Sequence, residues 1–462
     1  MSPRLSSLGL TVFFAMTISV PGVLMLGGAR PGEIENSELE PVPAVDLAAI
    51  GDATFFQGVS RAFEDRLPLR DKVVALDAQV SLRIFGDSPS EDVVIGRDGY
   101  LFYARSLDQV CPPTDDVALA ERELAESAAL ADAVGMDFVF VVAPDKASIY
   151  PDKLAKPSQC VTESEAFWNE VEDGSLILGW SALLAARTEG KAYFELDTHW
   201  TPMGASAMAL HIVERLDPAL IVGATAAPTT EYEDDSDLTR LMGIRTYETA
   251  FRYEVTRPGV ELGQSTTLEA ADAAGTAIEG VRVREHVTSG EPVVAGRTII
   301  LHDSFGNALR SLVSPFLSTS VWIGRTNPSE YPAASILNDA DTMMIVSVQR
   351  RAYGLLVTAR LSEQVAASIA DRLPAGRSVS LTSTGREELF VDDYREGRTY
   401  YLMVEKTSLE GALFEVRGRG ENEVDDRIPR KAFRMTGPDI WIELQKGSVL
   451  AWIVSVPSRG SR

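Results

Sequence analysis

The chain contains only four histidines, and His199 is the one with a carboxylate at a spacing that suits catalysis. Asp197 precedes it by two residues, which places both side chains on the same face of an extended segment. A carboxylate in this position can accept from one imidazole nitrogen and fix the tautomer, so that the other nitrogen can act as a base. The pattern alone is a weak signal, because such a pair is more often structural.

Ser304 has the surroundings of a nucleophile. It follows an apolar run over residues 297–303 that is typical of a buried strand, and a helical pattern begins shortly after it. Open α/β sheets bind ligands at the carboxyl ends of their strands, and the amides near Phe305 together with the helix dipole could stabilise an oxyanion. A serine hydroxyl needs a base, and we predict that His199 serves it, with Asp197 as the third member. An ordinary helix cap is the alternative role for Ser304.

His302 and Asp303 precede the serine and allow two other interpretations. His302 could be the base, yet it has no obvious carboxylate partner on its own strand. The Asp-x-His and His-Asp pairs also resemble fragments of a metallophosphoesterase site, but no further ligand block occurs in the sequence. We therefore predict no metal and no other cofactor, and we interpret Asp303 as a residue that supports the site by fixing the turn.

Apolar runs alternate with helical patterns through the middle of the chain. The spacing predicts helices over residues 116–135 and 201–216, the second with Thr201 as its cap and Pro202 in its first turn. Buried strands are predicted at 137–143, 297–303, 320–323 and 342–348. This alternation is typical of an α/β domain with a mostly parallel sheet, which places Ser304 at a strand end.

The pattern divides the chain into four parts. The apolar stretch within residues 1–30 predicts a signal anchor, or a signal peptide cut after Ala29, with Arg4 and the amino terminus before it and acidic residues after it. Residues 31–92 are typical of a linker and a helical region, and residues 93–372 form the predicted catalytic domain. Residues 373–462 show short alternating runs, which predict a small antiparallel β domain that resembles a sandwich.

Composition, charge and the amino-terminal segment limit the cellular compartment and the classes of partner that we expect. The 462 residues are 45% hydrophobic and 24% charged, which is ordinary for a globular protein. The net charge is −24, from 43 basic and 67 acidic residues, so that nucleic-acid binding is disfavoured. The amino-terminal segment predicts a periplasmic protein tethered to the inner membrane. In that compartment we expect Cys111 and Cys160 to form a disulfide.

Four segments match one family in sequence and in order: GRDGYLFY at 96–103, APDKASIYP at 143–151, DTHWTPMGA at 197–205 and Asp-Ser-Phe at 303–305. Over residues 93–347 the chain resembles the SGNH hydrolase-like domain of the periplasmic alginate O-acetyltransferase family. Ordinary SGNH esterases carry the serine block first, whereas this family and this chain carry the Asp-x-His block first. The chain departs from the pattern at His302, where a serine block usually has glycine.

The resemblance implies a flavodoxin-like parallel sheet in which Ser304, His199 and Asp197 form the triad. It implies that Phe305 and Asp303 lie at the oxyanion side or just behind the triad. A membrane-bound O-acyltransferase would deliver the acetyl group, because acetyl-CoA is not expected in the periplasm. Three residues of the matching segments become candidates for contact with the substrate: Lys146, Tyr150 and Trp200.

The carboxyl-terminal domain resembles, more weakly, the carbohydrate-binding module of two-domain members of this family. Arg430 and Lys431 lie in a locally basic segment that could face an anionic polymer. Four aromatic residues could stack on sugar rings or belong to the core instead: Tyr400, Tyr401, Trp441 and Trp452.

The main prediction for function is an O-acetyltransferase that modifies an alginate-like exopolysaccharide through an acetyl-enzyme. The same triad with water as the acceptor would give a carbohydrate acetylesterase. A third reading is a non-catalytic component that binds polysaccharide, which the complete set of serine, histidine and aspartate disfavours.

Overall fold

The computed structural model describes residues 53–66, 86–108, 116–268, 283–324 and 339–381, parts of 385–458, and a few isolated positions. The predicted signal anchor or signal peptide at 1–30 and the linker up to residue 52 lie outside the described residues, apart from single positions. Among the helices that the structure describes, none combines the length and apolar content needed to cross a membrane.

The bounds of the elements are as follows. The helices are α1 (Ala53–Asp65), α2 (Arg105–Asp108), α3 (Val117–Asp132), α4 (Lys146–Ile149), α5 (Gln159–Glu170), α6 (Trp180–Glu189), α7 (Pro202–Leu216), α8 (Asp237–Leu241), α9 (Gly306–Val313), α10 (Gln349–Tyr353) and α11 (Leu361–Ser368). The strands up to the last parallel one are β1 (Val93–Ile95), β2 (Leu101–Tyr103), β3 (Asp137–Ala143), β4 (Leu176–Leu178), β5 (Thr225–Asp235), β6 (Tyr247–Thr256), β7 (Glu261–Leu262), β8 (Thr266–Leu268), β9 (Val283–Ser289), β10 (Val294–His302), β11 (Leu317–Ile323) and β12 (Thr342–Val348). The remaining strands are β13 (Ala375–Leu381), β14 (Gly385–Phe390), β15 (Arg398–Lys406), β16 (Leu413–Val416), β17 (Arg430–Arg434), β18 (Asp439–Lys446) and β19 (Val449–Pro457).

The central sheet has the strand order β4-β3-β12-β10-β11-β9-β7, with β8 beside β9. Its first five strands are parallel, and β9 joins β11 in the antiparallel direction. β3 and β12 are nearly continuous apolar runs, and such runs suit strands that are covered on both faces. The predicted α/β class with a mostly parallel sheet is confirmed.

Helix α7 follows the Asp-x-His segment and begins where the sequence predicts. The Thr201 hydroxyl accepts from the Gly204 N–H at 3.2 Å, and Pro202 occupies the first turn. A side chain at position 204 would place its Cβ 2.1 Å from the Ala192 carbonyl oxygen, so only glycine fits. The start of α7 is thus fixed against the chain that leads into the Asp-x-His segment.

An antiparallel ribbon of β5 and β6 is the element that the apolar pattern does not indicate. Its two strands pair from Thr225 with Thr256 to Asp235 with Tyr247. Most of its side chains are exposed or half-buried, so its sequence lacks the apolar alternation of a core strand. Helix α8 lies between β5 and β6 along the chain. The ribbon and α8 both contribute carboxylates to the site described below.

The carboxyl-terminal strands form two antiparallel sheets, β13-β19-β15-β17 and β14-β18-β16. One apolar cluster joins their inner faces and includes Leu402, Ile442 and Leu444, as expected for a sandwich. The outer face of the first sheet contributes Tyr401 and Trp452 to the core of the α/β domain. Strand β15 is therefore covered on both sides.

Polar contacts also join this first sheet to α3. The Tyr401 hydroxyl donates to Glu126 at 3.2 Å, and Arg434 pairs with the same carboxylate at 2.5 Å. Burial is the main cause that raises the pKa of Glu126, while the charge of Arg434 acts in the opposite direction. The carboxylate is therefore stable in this position only with its cationic partner beside it.

We predict that Glu126→Ala lowers the free energy of unfolding by about 3 kcal/mol, because a buried ion pair loses one partner. Chemical denaturation followed by tryptophan fluorescence measures the change. Asp132→Ala, an exposed acidic position at the end of the same helix, should stay within about 0.5 kcal/mol of the parent. Equal effects of the two variants would contradict a specific anchoring role for Glu126.

Candidate active site

The turn that carries Ser304 is fixed by the carboxylate before it. The Phe305 N–H donates to Asp303 Oδ1 at 3.0 Å, and the Val348 N–H donates to Asp303 Oδ2 at 2.8 Å. The second bond connects the end of β10 to the end of β12. Asp303 is 7% exposed, whereas Ser304 is exposed, so the turn presents the serine outward. The interpretation of Asp303 as a turn-fixing residue agrees with these contacts.

His302 stands where a serine block usually has glycine. Its side chain fits because Gly306 has no side chain that would collide with it. A Cβ at position 306 would lie 2.3 Å from His302 Cβ, so α9 can pass over the histidine only with glycine there. The His302 Nδ1–H donates to the Asp303 carbonyl at 2.7 Å, and its ring contacts Trp322 at 5.6 Å between centroids. Burial is the main cause that lowers the pKa of His302. This ring packs under the turn.

The segment that carries Asp197 and His199 is held by a buried ammonium group. Lys146 Nζ donates to the carbonyls of Phe194 (3.2 Å), Glu195 (3.0 Å) and Asp197 (2.7 Å). Lys146 is 4% exposed, and burial lowers its pKa to about 8. All three of its donors have acceptors, which offsets the cost of burying the charge.

A glutamate of the β5–β6 ribbon holds the opposite polar groups of the same segment. The Glu195 N–H and the Leu196 N–H donate to the two oxygens of Glu248, at 2.8 Å and 2.7 Å. The carbonyls of this segment therefore face a cation and its amides face an anion. The backbone conformation before Asp197 is determined from both sides.

Ser304, His199 and Asp197 form one connected chain of hydrogen bonds. His199 Nε2 lies 2.8 Å from Ser304 Oγ, and His199 Nδ1 lies 2.7 Å from Asp197 Oδ1. The His199 N–H also donates to Asp197 Oδ1 at 2.8 Å, which locks the two residues together. With the proton assigned to Nδ1 from this network, Nε2 can accept the serine proton.

Hydrogen bonds and charges in the site lower the pKa of Asp197 and raise the pKa of His199. Both directions suit a histidine that acts as a base. Burial acts to raise the pKa of Asp197, but hydrogen bonds from His199 outweigh it and lower the value to about 2. Burial acts to lower the pKa of His199, but the hydrogen bond and charge of Asp197, with the charge of Asp237, raise it. An ionised carboxylate next to a more basic imidazole favours proton transfer from Ser304.

Asp237 and Arg350 belong to the site although the sequence analysis missed them. Asp237 Oδ2 lies 3.5 Å from His199 Nδ1. Arg350 forms a buried ion pair with Asp145, and its guanidinium lies over the Phe305 ring at 5.5 Å from the centroid. Asp237 has no local pattern that marks it. Arg350 follows the carboxyl end of buried strand β12, and that position is the one signal that could have found it.

The three candidates for substrate contact lie behind the triad. Lys146 donates to backbone carbonyls, as described above, and the Tyr150 hydroxyl accepts from the Ala192 N–H at 2.9 Å. Trp200 is 2% exposed and packs its ring on Phe305, 5.0 Å between centroids. The contacts described for these three residues are with protein groups, and their contact with the substrate stays a prediction.

The Phe305 ring packs against the His199 ring, and the Phe305 amide already has a hydrogen-bond acceptor. The ring is fully buried and lies 5.0 Å from the His199 ring, between centroids. The Phe305 N–H donates to Asp303, and the next amides, of Gly306 and Asn307, donate to the carbonyls of Asp303 and Ser304. These engagements do not suit the predicted role of the Phe305 amide as an oxyanion donor. The described hydrogen bonds assign no partner to the Ser304 N–H.

A cavity of about 560 Å³ opens beside Ser304. Arg310 of α9 and Arg284 of β9 line it, and burial together with the charge of Arg284 lowers the pKa of Arg310. Among the described residues, no carboxylate pairs with either guanidinium. The other lining residues are His302, Asp303, Asn307, Trp322 and Gly324. The cavity is therefore a cationic recess in an acidic protein.

Arg430, the first residue of the basic pair on β17, is paired with carboxylates of the protein. Arg430 pairs with Asp371 at 2.8 Å and with Glu405 at 3.2 Å, and its guanidinium lies over Trp452. Its neighbour Lys431 lies on the same strand, opposite Val404 of β15. The charge of Arg430 is used within the protein, contrary to the expectation that it faces a polymer.

The aromatic residues suggested for sugar stacking are largely inside. Tyr400, Tyr401 and Trp452 are 5%, 0% and 7% exposed, so these rings belong to the core. The side chain of Trp441 lies outside the described residues.

Cys160 is disulfide-bonded. The sequence contains one other cysteine, Cys111, which lies outside the described residues.

The chain combines a parallel sheet that has a serine after a central strand with an Asp-x-His segment before a helix. Residues 93–274 match the family described as ALGX, the SGNH hydrolase-like domain of acetyltransferase AlgX. The match includes Asp197 and His199 and ends before Ser304. It confirms the predicted resemblance to the alginate O-acetyltransferase family.

Curated relatives carry the name probable alginate O-acetylase AlgJ. The protein of Pseudomonas syringae pv. tomato is 26% identical over 159 residues, which are 32% of this chain and 39% of the relative. The Pseudomonas aeruginosa protein is 26% identical over 211 residues, which are 42% of this chain and 49% of the relative. The chain thus spans less than half the length of these relatives.

Solved structures to which the chain is similar include Pseudomonas aeruginosa AlgX and the O-acetyltransferase domain of Pseudomonas putida AlgJ. The first has a TM-score of 0.47 at 14% identity, over 78% of this chain and 94% of that chain. The second has a TM-score of 0.37 at 17% identity, over 56% of this chain and 91% of that chain.

We predict that Lys146→Met both destabilises the protein and abolishes activity, because three carbonyls of the catalytic segment lose their common donor. The loss of stability should be about 3 kcal/mol or more, as for buried polar groups left without partners. Thermal unfolding and hydrolysis of a chromogenic acetyl ester measure the two effects. Lys156→Met, at an exposed position, is the matched control and should change neither. An active, stable Lys146→Met variant would refute this role.

Proposed function

We propose that this protein is an O-acetyltransferase that acetylates hydroxyl groups of a periplasmic, alginate-like polysaccharide. The observation that carries the proposal is the hydrogen-bonded chain from Ser304 through His199 to Asp197 at the end of a parallel strand. The match of residues 93–274 to an acetyltransferase domain supports the reaction class. The name of the AlgJ relatives supports a polysaccharide as the acceptor.

The first half-reaction forms an acetyl-enzyme. Ser304 Oγ attacks the carbonyl carbon of an acetyl ester while its proton passes to His199 Nε2. The Ser304 N–H, which has no acceptor among the described hydrogen bonds, would stabilise the resulting oxyanion together with the positive end of α9. The ester C–O bond then breaks, and the leaving oxygen takes the proton from Nε2. Ser304 is left as its acetyl ester and His199 is neutral again.

The second half-reaction repeats these steps with the polysaccharide. A sugar hydroxyl gives its proton to His199 Nε2 as its oxygen attacks the acetyl carbon. The bond to Ser304 Oγ breaks, and the serine recovers the proton. Water in place of the sugar hydroxyl would give an acetylesterase. Because Ser304 is exposed, the access of water to its acetyl ester decides between transfer and hydrolysis.

The cavity beside Ser304 supports an acidic acceptor. Arg284 and Arg310 present two cationic groups there, and guanidinium binds carboxylate in a bidentate geometry. An overall charge of −24 repels a polyuronate elsewhere on the surface, so a local cationic recess is where such a chain can approach.

Compartment and partners complete the proposal. The amino-terminal segment 1–30 would tether the protein to the inner membrane, with the catalytic domain in the periplasm. A membrane-bound O-acyltransferase would supply the acetyl group as an ester. We propose a reaction without a metal and a protein without a nucleic-acid partner. The carboxyl-terminal sandwich, residues 373–462, would assist binding of the polymer through surfaces other than its buried aromatic rings.

We predict that Ser304→Ala prevents acetylation of the enzyme, because no other residue of the triad carries a hydroxyl. Exposure to a chromogenic acetyl ester, followed by intact-mass spectrometry and peptide mapping, should find one added acetyl group in the parent and none in the variant. Ser311→Ala, at an exposed serine of α9, the helix that follows the Ser304 turn, should behave as the parent. An acetyl adduct that persists in Ser304→Ala would refute the assignment of the nucleophile.

We predict that Arg310→Gln reduces transfer to an oligouronate about tenfold to a hundredfold, since a charge-assisted hydrogen bond contributes about 1.5–3 kcal/mol. Hydrolysis of a small, uncharged acetyl ester should change little. Mass spectrometry of acetylated oligosaccharides measures transfer, with Arg122→Gln on the exposed face of α3 as the control. Equal losses with neutral and acidic oligosaccharides would argue against recognition of carboxylate.

A further inference from the structure

Two carboxylates lie near the same nitrogen of the His199 ring, Nδ1. Nδ1 lies 2.7 Å from Asp197 Oδ1 and 3.5 Å from Asp237 Oδ2. The exposed fractions of the Asp197 and Asp237 side chains are 11% and 23%, so solvent screens neither charge strongly. A triad needs one carboxylate to orient the imidazole, and the second one here requires a separate explanation.

Asp237 is connected to His199 through Thr198 and to Asp197 through its own amide. The Thr198 N–H donates to Asp237 Oδ1 at 2.7 Å, and the Thr198 hydroxyl donates to Asp237 Oδ2. The Asp237 N–H donates to Asp197 Oδ2 at 2.7 Å, so the start of α8 also holds the first carboxylate in place. Thr198 Oγ1 lies 3.3 Å from His199 Nδ1 and completes the network.

We propose that Asp237 is a second carboxylate of the site, which holds Asp197 and stabilises, together with it, the imidazolium that forms when Ser304 gives its proton to His199. The inference rests on the proposed function for the reaction in which that imidazolium appears. The described contacts of Asp237 are with Thr198, Asp197 and His199 and do not include Ser304, so its role is to position and to supply charge. Its contribution is largest at the moment when His199 carries both protons.

The charges around the imidazole are consistent with this role. Asp197 and Asp237 raise the pKa of His199, whereas burial and the charge of Arg350 on α10 lower it. Asp234 of β5 is the further acidic residue whose charge interacts with His199. Asp237 is the one of these acids, apart from Asp197, that combines its charge with a hydrogen-bonded connection to the triad segment.

The test is Asp237→Asn, a change that keeps the shape of the side chain and removes its charge. Because a nearby negative charge favours the imidazolium, its loss should lower the pKa of His199. Nuclear magnetic resonance of isotope-labelled histidine in the full chain, assigned with His199→Gln, measures this titration without any substrate. Asp235→Asn is the matched control, since that carboxylate pairs with Arg245 at 3.2 Å. A His199 titration unchanged by Asp237→Asn overturns the proposal.

Kinetics of acetyl-ester hydrolysis provides the second measurement. In Asp237→Asn the acid limb of the pH profile should move to lower pH, and the plateau rate should fall about tenfold. The Asp197→Asn and Asp237→Asn double variant should be at least about tenfold slower than Asp197→Asn alone, because Asp237 partly replaces the missing charge. A double variant equal to Asp197→Asn overturns that part of the role.

The two measurements separate the inference from the proposed function. If the parent shows no Ser304-dependent acetylation, the proposed function fails, yet the histidine titration still tests the pairing of Asp237 with His199. If the parent is active and Asp237→Asn has both the parental titration and the parental profile, only the role of Asp237 fails. Thermal unfolding of each variant identifies any change that comes from loss of folding.

Discussion

The buried ammonium of Lys146 determines where the segment that carries Asp197 and His199 can lie. A lysine head group has three donors, and here three carbonyls of residues 194–197 accept from it. Burial without these acceptors would neutralise the group or expel it, so the charge and the loop conformation require each other. Lys146 itself begins the short helix after β3, which ties the segment to the central sheet.

Carboxylates fix the other polar groups around the site. Glu248 and Asp237 accept backbone amides of residues 195, 196 and 198, on the side opposite to the lysine. These amides and the carbonyls bound by Lys146 meet fixed charges, which hold the segment that carries the His199 ring. Such preorganisation is what a base needs, since its nitrogen must meet the serine at hydrogen-bond distance.

The ends of three adjacent parallel strands are joined in a similar way. Asp303, after β10, accepts the amide of Val348 at the end of β12. Asp145, after β3, accepts the amide of Arg350, which follows β12, and pairs with its guanidinium. The loops at this edge of the sheet are therefore bound to one another by charge-assisted hydrogen bonds. The serine turn and the Phe305 ring rest on this assembly.

The sequence determined the class of fold and the three residues of the hydrogen-bonded chain. Continuous apolar runs identify buried parallel strands, and a serine after such a strand must lie at the sheet edge where ligands bind. The Asp-x-His spacing is local, so it needs no tertiary information. The tertiary structure decided what distant chain segments contribute. The partners of Lys146, the carboxylates of Glu248 and Asp237, and the arginines beside Ser304 meet only after folding. No periodicity records such contacts, because hydrogen bonds between distant loops depend on geometry in space and leave no spacing along the chain.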